Sequence, residues 1–170
     1  MPNPVTAGVS GNAFNIDASH ANITGGSFDV GNAHANGDSH GGPVTAGVAG
    51  NEFNIDAHNL NLTGGSFDVG NADAHGGSGF FDNGSPVTAG VSGNAFNIDI
   101  SHGNLTGGSF DVGNAHANGD SGFFDNGGPV TAGVSGNEFN IDAHNLNLTG
   151  GSFEVGNADA SHFHFDFIPL

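Results

Sequence analysis

Four near-identical copies of one segment follow one another along the chain, and this repetition constrains the fold more than any other feature. Each copy opens with Pro-Val-Thr-Ala-Gly-Val and continues through Gly-Asn-x-Phe-Asn-Ile-Asp to Thr-Gly-Gly-Ser-Phe. The openings lie at Pro4, Pro43, Pro86 and Pro129. A period of about 40 residues is typical of proteins that stack one supersecondary unit on the next, because a single unit buries too little apolar surface alone.

The copies also differ in a regular way. Ala13 and Ala95 precede the first Phe of copies one and three, whereas Glu52 and Glu138 precede it in copies two and four, so the order is A-B-A-B. We predict one β domain of four tandem repeats, followed by a strand-like tail. The repeats cover 4–42, 43–85, 86–128 and 129–161, and the tail covers 162–170.

Apolar and polar residues alternate within each copy. Phe14 and Ile16 flank Asn15, and Phe28 and Val30 flank an acid, with no apolar stripe at helical spacing. A period of two over three to five residues predicts short half-buried strands, and the Gly-Gly pairs predict turns between them. The sequence therefore predicts an all-β protein without helix, a β-solenoid or cross-β-like stack with one or two layers per copy. A disordered Gly-rich linker is the alternative, and the ordered Phe placement argues against it.

Stacking would set each side chain on its equivalent one layer away. Two Phe columns and one Ile column would form the core, and an Asn column would hydrogen-bond along the stack. The core columns are Phe14, Phe53, Phe96 and Phe139; Ile16, Ile55, Ile98 and Ile141; and Phe28, Phe67, Phe110 and Phe153. The Asn ladder is Asn15, Asn54, Asn97 and Asn140.

Two further columns consist of acids. They are Asp17, Asp56, Asp99 and Asp142, and Asp29, Asp68, Asp111 and Glu154. Like charges about 4.8 Å apart repel by roughly 1 kcal/mol in water, so salt, protonation or a divalent cation must relieve them. Ca²⁺ is the cation that suits these oxygen ligands, although no cofactor is required. Gly-Gly-Ser-Phe-Asp departs from the calcium-binding Gly-Gly-x-Gly-x-Asp, which favours a solvated acidic face.

The ten His residues offer a second candidate for metal binding. Seven of them are predicted to lie in variable turns: His20, His34, His40, His58, His75, His102 and His116. Their spacing differs between A and B copies, which favours surface His over a fixed ligand set. His162 and His164 alternate with Phe in the tail, and they are the best single candidates for a metal or a pH-sensitive contact.

The charge and the residue types present exclude several classes of function. The chain has no Lys, Arg or Cys and a formal net charge of −17, so nucleic acid is excluded as a partner, and no apolar stretch is long enough to insert into a membrane. Near-identical copies of each Ser, His and Asp do not give one asymmetric catalytic constellation, so we predict no enzyme.

The uncapped, regular end copies and the matching A and B ends predict head-to-tail assembly of copies of this chain into a filament. The Gly/Asn-rich tandem repeats resemble bacterial biofilm amyloids of the curli and Fap type, with Phe and Asn columns in place of the curli Gln ladders. That resemblance implies a functional-amyloid matrix fibre, secreted unfolded and assembled outside the cell.

The composition and the C-terminal Asp-Phe-Ile-Pro-Leu are similar to type I secretion cargo, which also predicts an extracellular or cell-surface location. Two other classes stay open. One is a calcium-dependent, type I-secreted adhesin or an ice-binding β-solenoid, and the other is a designed repeat protein.

Acid should accelerate assembly. Protonation of all ten His residues would change the formal charge from −17 to −7, which weakens repulsion between molecules. We expect turbidity at fixed salt to rise faster as the pH falls from about 7 to about 5, the range in which His takes up protons. Kinetics that do not change across this range would contradict the prediction.

Overall fold

The computed structural model describes residues 4–37, 42–77, 85–119 and 128–161. These ranges contain twenty β-strands and no helix, so none of them holds a helix that could cross a membrane. Every copy supplies five strands, and each strand pairs with its equivalents in the neighbouring copies. The prediction of an all-β, solenoid-like stack is confirmed, and each copy forms one layer.

The strands are short and recur in the same order in every layer. In copy one they are β1 (Val5–Ser10), β2 (Ala13–Asp17), β3 (Asn22–Thr24), β4 (Ser27–Val30) and β5 (Ala33–Asn36). In copy two they are β6 (Val44–Ala49), β7 (Glu52–Asp56), β8 (Asn61–Thr63), β9 (Ser66–Val69) and β10 (Ala72–His75). In copy three they are β11 (Val87–Ser92), β12 (Ala95–Asp99), β13 (Asn104–Thr106), β14 (Ser109–Val112) and β15 (Ala115–Asn118). In copy four they are β16 (Val130–Ser135), β17 (Glu138–Asp142), β18 (Asn147–Thr149), β19 (Ser152–Val155) and β20 (Ala158–Ser161).

Equivalent strands form five parallel sheets of four strands each, and the register is strict. Phe14 lies opposite Phe53, and Phe53 opposite Phe96. Because parallel in-register pairing sets residue against equivalent residue, every inward side chain extends a column through the stack. The difference between the 39-residue and 43-residue steps is absorbed outside the strands, since the paired strands have equal lengths.

The core is built on two stacks of Phe rings. In the column that begins at Phe14, successive ring centroids lie 4.8 to 4.9 Å apart with planes within 8° of parallel. In the column that begins at Phe28 they lie 4.8 to 5.0 Å apart. These distances match the separation of adjacent strands in a sheet, so backbone pairing and ring stacking are satisfied together.

Small side chains fill the opposite part of each layer. Ala33 and Ala35 of β5 are buried together with Val44 and Ala46 of β6, and β1 packs against β5. Val and Ala allow these two sheets to approach each other, whereas β2, β3 and β4 surround the bulkier Phe, Ile and Leu side chains. The layer is thus narrow at one side and wide at the other.

Glycines with positive φ form the corners between neighbouring strands of a layer. Gly70 has a φ of 65°, and a Cβ placed there would lie 2.8 Å from Phe96 Cε1 and 3.1 Å from Phe53 Cε2. Gly50 has the same φ, but a Cβ there would meet no atom within 4 Å. A side chain at Gly50 therefore costs only the strain of the left-handed backbone, whereas a side chain at Gly70 also crowds the Phe column.

We predict that Gly70→Ala lowers the free energy of unfolding by about 2–5 kcal/mol, because it adds overpacking to left-handed strain. Gly50→Ala is the matched control in the same layer and should cost only about 1–2 kcal/mol. Denaturant unfolding of both variants, followed by circular dichroism, measures the difference. Equal losses would show that the Phe column does not restrict this corner.

Candidate functional site

The two end layers expose surfaces that the inner layers bury. Phe53 and Phe96 are fully buried, whereas Phe14 and Phe139, the ends of the same column, are only half-buried. The contrast is sharpest in the Leu column, where Leu148 of the last layer is 46% exposed. Its equivalents Leu62 and Leu105 are at most 1% exposed. In the described part of the chain, each end layer thus presents a cross-section of the core.

Backbone N–H groups of the last layer point in the direction in which inner layers hydrogen-bond to the following layer. The N–H of Val44 donates to Pro86 O at 2.9 Å, and the N–H of Val87 donates to Pro129 O at 3.0 Å, each in the following layer. Val130 holds the equivalent position in the last layer described. Its N–H is directed by the same register toward the open face.

A buried Asn ladder runs along the corner between the first two sheets. The N–H of Asn51 donates to Asn94 Oδ1 at 2.9 Å, and Asn51 Nδ2 donates to Val9 O of the preceding layer at 3.0 Å. Asn12 lies in the first layer, and its Nδ2 donates instead to Ser10 O of its own layer. The ladder is therefore incomplete at the first layer.

A second Asn ladder runs along the corner before β5 with the opposite polarity. The N–H of Asn114 donates to Asn71 Oδ1, and the N–H of Asn71 donates to Asn32 Oδ1, both at 2.8 Å. At the last layer, Asn157 Nδ2 turns to Glu154 Oε2 of its own layer at 3.4 Å. Each end of the stack thus exposes donors and acceptors that the opposite end complements.

Neither corner ladder was predicted, although Gly-Asn recurs at both corners in every copy. The predicted outer ladder carries bonds from Asn97 to Asn54 and from Asn54 to Asn15, each 2.9 Å. An additional outer ladder begins at Asn22, which accepts from Asn61 Nδ2 at 2.9 Å. The invariant Asn positions in the repeat were the signal that could have indicated the further ladders.

The Asp17 column lies on the corner between β2 and β3 and has local partners. Hydrogen bonds from the Ser19 hydroxyl and backbone hold the pKa of Asp17 below its usual value. In the B layers, His58 replaces this Ser and its Nδ1 contacts Asp56 Oδ1. That contact raises the pKa of His58, so its stabilising effect is present below the unfolded-state pKa of His and is lost as the pH rises through the folded-state value.

The Asp29 column behaves differently because its neighbours are acids. Burial raises the pKa of Asp68 to about 6, a hydrogen bond from Ser66 opposes that rise, and Asp29 and Asp111 add to it. Ser66 Oγ donates to Asp68 Oδ2 at 2.7 Å. Protonation thus relieves part of the repulsion that the sequence predicts for this column.

The described residues define no metal site. Over the residues that the structure describes, no group of three or more His, Cys, Asp or Glu side chains could hold a metal ion. Calcium binding to the acidic columns stays a prediction. His162, His164 and His40 lie outside the described residues.

The prediction that His residues occupy turns is wrong for three of them. His34, His75 and His116 lie on β5, β10 and β15. These strands alternate small Ala with polar residues, so their apolar face carried little signal in the sequence. The register sets His34 beside Asp73, with Nδ1 2.9 Å from Oδ2, and Asp73 beside His116.

Comparison of this chain with protein-family models, with curated proteins and with solved structures finds no match in any of the three. The residues themselves define what the surface can do. In the described part of the chain, the end layers expose half-buried aromatic rings, strand edges and the last members of the amide ladders, and a strand edge is a surface with which another β-strand can pair.

The raised pKa of Asp68 predicts that ionisation of this residue lowers the stability of the fold as the pH rises. Because the pKa of Asp68 is higher in the folded than in the unfolded chain, its charge costs stability as the pH rises from about 4 to about 6. Asp68→Asn should therefore raise the free energy of unfolding at pH 7 by about 1 kcal/mol, allowing for solvent screening, and change it little at pH 4.

Asp99→Asn is the control of opposite sign, because hydrogen bonds from Ser101 lower the pKa of Asp99. Its carboxylate stabilises the fold above the unfolded-state pKa, so the substitution should lower stability at pH 7. Thermal unfolding at pH 4 and pH 7 measures both variants. A loss of stability in Asp68→Asn at pH 7 would contradict this account of the column.

Proposed function

We propose that this protein is a structural subunit that assembles head to tail into a β-rich filament of an extracellular or cell-surface matrix. The observation that carries the proposal is the pair of corner Asn ladders, each of which runs through all four described layers and ends in a backbone N–H at one end layer and a side-chain oxygen at the other. An added molecule would extend both ladders at once.

The contact between molecules would repeat one that exists within the molecule. Copy two is a B copy and copy three an A copy, and their junction stacks Phe53 on Phe96 at 4.8 Å. The last layer is again B and the first layer is A. The same contacts are therefore open to Phe139 of one molecule and Phe14 of the next, each such ring pair adding about 0.5–1.5 kcal/mol beyond its burial.

Polar groups at this junction would also find partners. The N–H of Asn137 would donate to Asn12 Oδ1 of the next molecule, as Asn51 donates to Asn94. The N–H of Asn32 in the next molecule would donate to Asn157 Oδ1, as Asn114 donates to Asn71. A contact between two different surfaces that share an axis does not close on itself, so it propagates as a filament.

The extracellular location rests on composition and resemblance. The absence of Lys, Arg and Cys, together with Gly/Asn-rich tandem repeats, resembles functional amyloids of biofilms and type I secretion cargo. A matrix fibre needs no catalytic centre, which agrees with the predicted absence of enzymatic activity. A calcium-dependent adhesin or an ice-binding solenoid is the competing class, and it would remain monomeric.

Electron microscopy of concentrated protein, with calcium and with chelator, tests the proposal. We expect unbranched filaments in both conditions. Discrete particles in both would contradict the proposal, and monomers that fold only with calcium would favour the adhesin.

A variant of the last layer tests which surface assembles. Leu148→Glu should raise the critical concentration about 100-fold, because stacking would bury an unpaired carboxylate that faces water in the monomer. Thr149→Glu is the matched control, since Thr63 and Thr106 stay exposed even in inner layers and the added charge is the same. Equal effects of the two substitutions would show that the last layer is not the contact surface.

A further inference from the structure

One outward column of the solenoid alternates between base and acid. It follows β5, β10, β15 and β20, where the paired residues are His34, Asp73, His116 and Asp159. The flanking Ala residues of β5 and β10 are buried, so these side chains point away from the core. His34 Nδ1 lies 2.9 Å from Asp73 Oδ2.

When the His residues are protonated, this alternation places opposite charges in adjacent layers. The chain has no Lys or Arg, so His is its one type of side chain that can carry a positive charge. Opposite charges directly across neighbouring strands stabilise a sheet, and like charges destabilise it. The column begins with His at the first layer and ends with Asp at the last, so its two ends are complementary.

We propose that Asp159 of one molecule pairs with His34 of the next, and that this pair selects contact between a last layer and a first layer. The proposal rests on the filament function proposed above and names a recognition element within it. The register of β20 on β5 would repeat that of β10 on β15, where Asp73 lies beside His116. A contact between two first layers or two last layers does not supply one His and one Asp to this column.

The acids around the proposed His34–Asp159 pair explain why an attraction at this position would matter. The strands packed behind β5 are β1 and β6, and neither carries a titratable side chain. The groove beside the column is lined by acids of the neighbouring sheet: Asp29, Asp68, Asp111 and Glu154. Stacking would bring Glu154 next to Asp29 of the next molecule, so the His34–Asp159 pair would offset a repulsion at the same junction.

Two charge-exchange variants test the pair. H34D places acids on both sides of the junction, and D159H places imidazoles on both sides. An equimolar mixture restores one His and one acid at each mixed contact, and so does the double variant H34D/D159H within one chain. The double variant keeps the wild-type composition and therefore the net charge of −17.

The critical concentration at pH 6, measured by sedimentation and electron microscopy, is the readout. We expect each single variant alone to assemble with a critical concentration about tenfold above wild type, which corresponds to about 1.4 kcal/mol. The mixture and the double variant should return to within about threefold of wild type. H75D, which makes the same charge change in an inner layer, should assemble nearly as the wild type does.

Rescue separates recognition from folding. H34D also sets two acids side by side within the molecule, D159H sets two imidazoles side by side, and the double variant contains both defects. If these columns act only within the molecule, the double variant assembles worse than either single variant, which would overturn the proposal. Single variants that assemble as the wild type does would also overturn it and leave the filament intact. Wild-type protein that forms no filament would instead refute the proposed function, and the recognition pair with it.

Discussion

Strict parallel register at a spacing near 4.8 Å is the constraint on which the rest of this structure depends. It obliges every side chain to be compatible with a copy of itself in the next layer. Phe meets this requirement by stacking, and Asn meets it because its amide both donates and accepts. Asp needs further partners to meet it: hydrogen bonds from Ser19 lower the pKa of Asp17, whereas in the Asp29 column burial and acidic neighbours raise the pKa of Asp68.

The A-B alternation separates the Glu side chains of one column. Glu52 and Glu138 are separated by Ala95, so like charges in this column lie two layers apart. His rings do meet across adjacent layers, because the ring centroids of His20 and His58, and those of His102 and His144, lie 4.8 Å apart. The acids of β10 and β20 likewise alternate with His, whereas the Asp17 and Asp29 columns carry an acid in every layer.

The wide side of the layer could be predicted from sequence because its alternation is carried by large residues such as Phe14 and Ile16. The number of layers per copy could not, since it depends on five strands closing one turn of the solenoid. The β5 segment was assigned to a turn because Ala33 and Ala35 give little hydrophobic contrast between inward and outward positions. The roles of Asn51 and Asn114 arise at corners, where a side chain bonds to residues about 40 positions away and no local pattern indicates it.

The A-B alternation also determines which numbers of copies keep the two end layers different in type. A chain with an odd number of copies would end on the same layer type at both faces, with imidazole or carboxylate at both ends of the outer column. That column would then bring like side chains together at a head-to-tail contact, although the Phe columns and Asn ladders would still match. Addition or removal of copies in pairs, about 80 residues at a time, would keep His at one end of this column and Asp at the other.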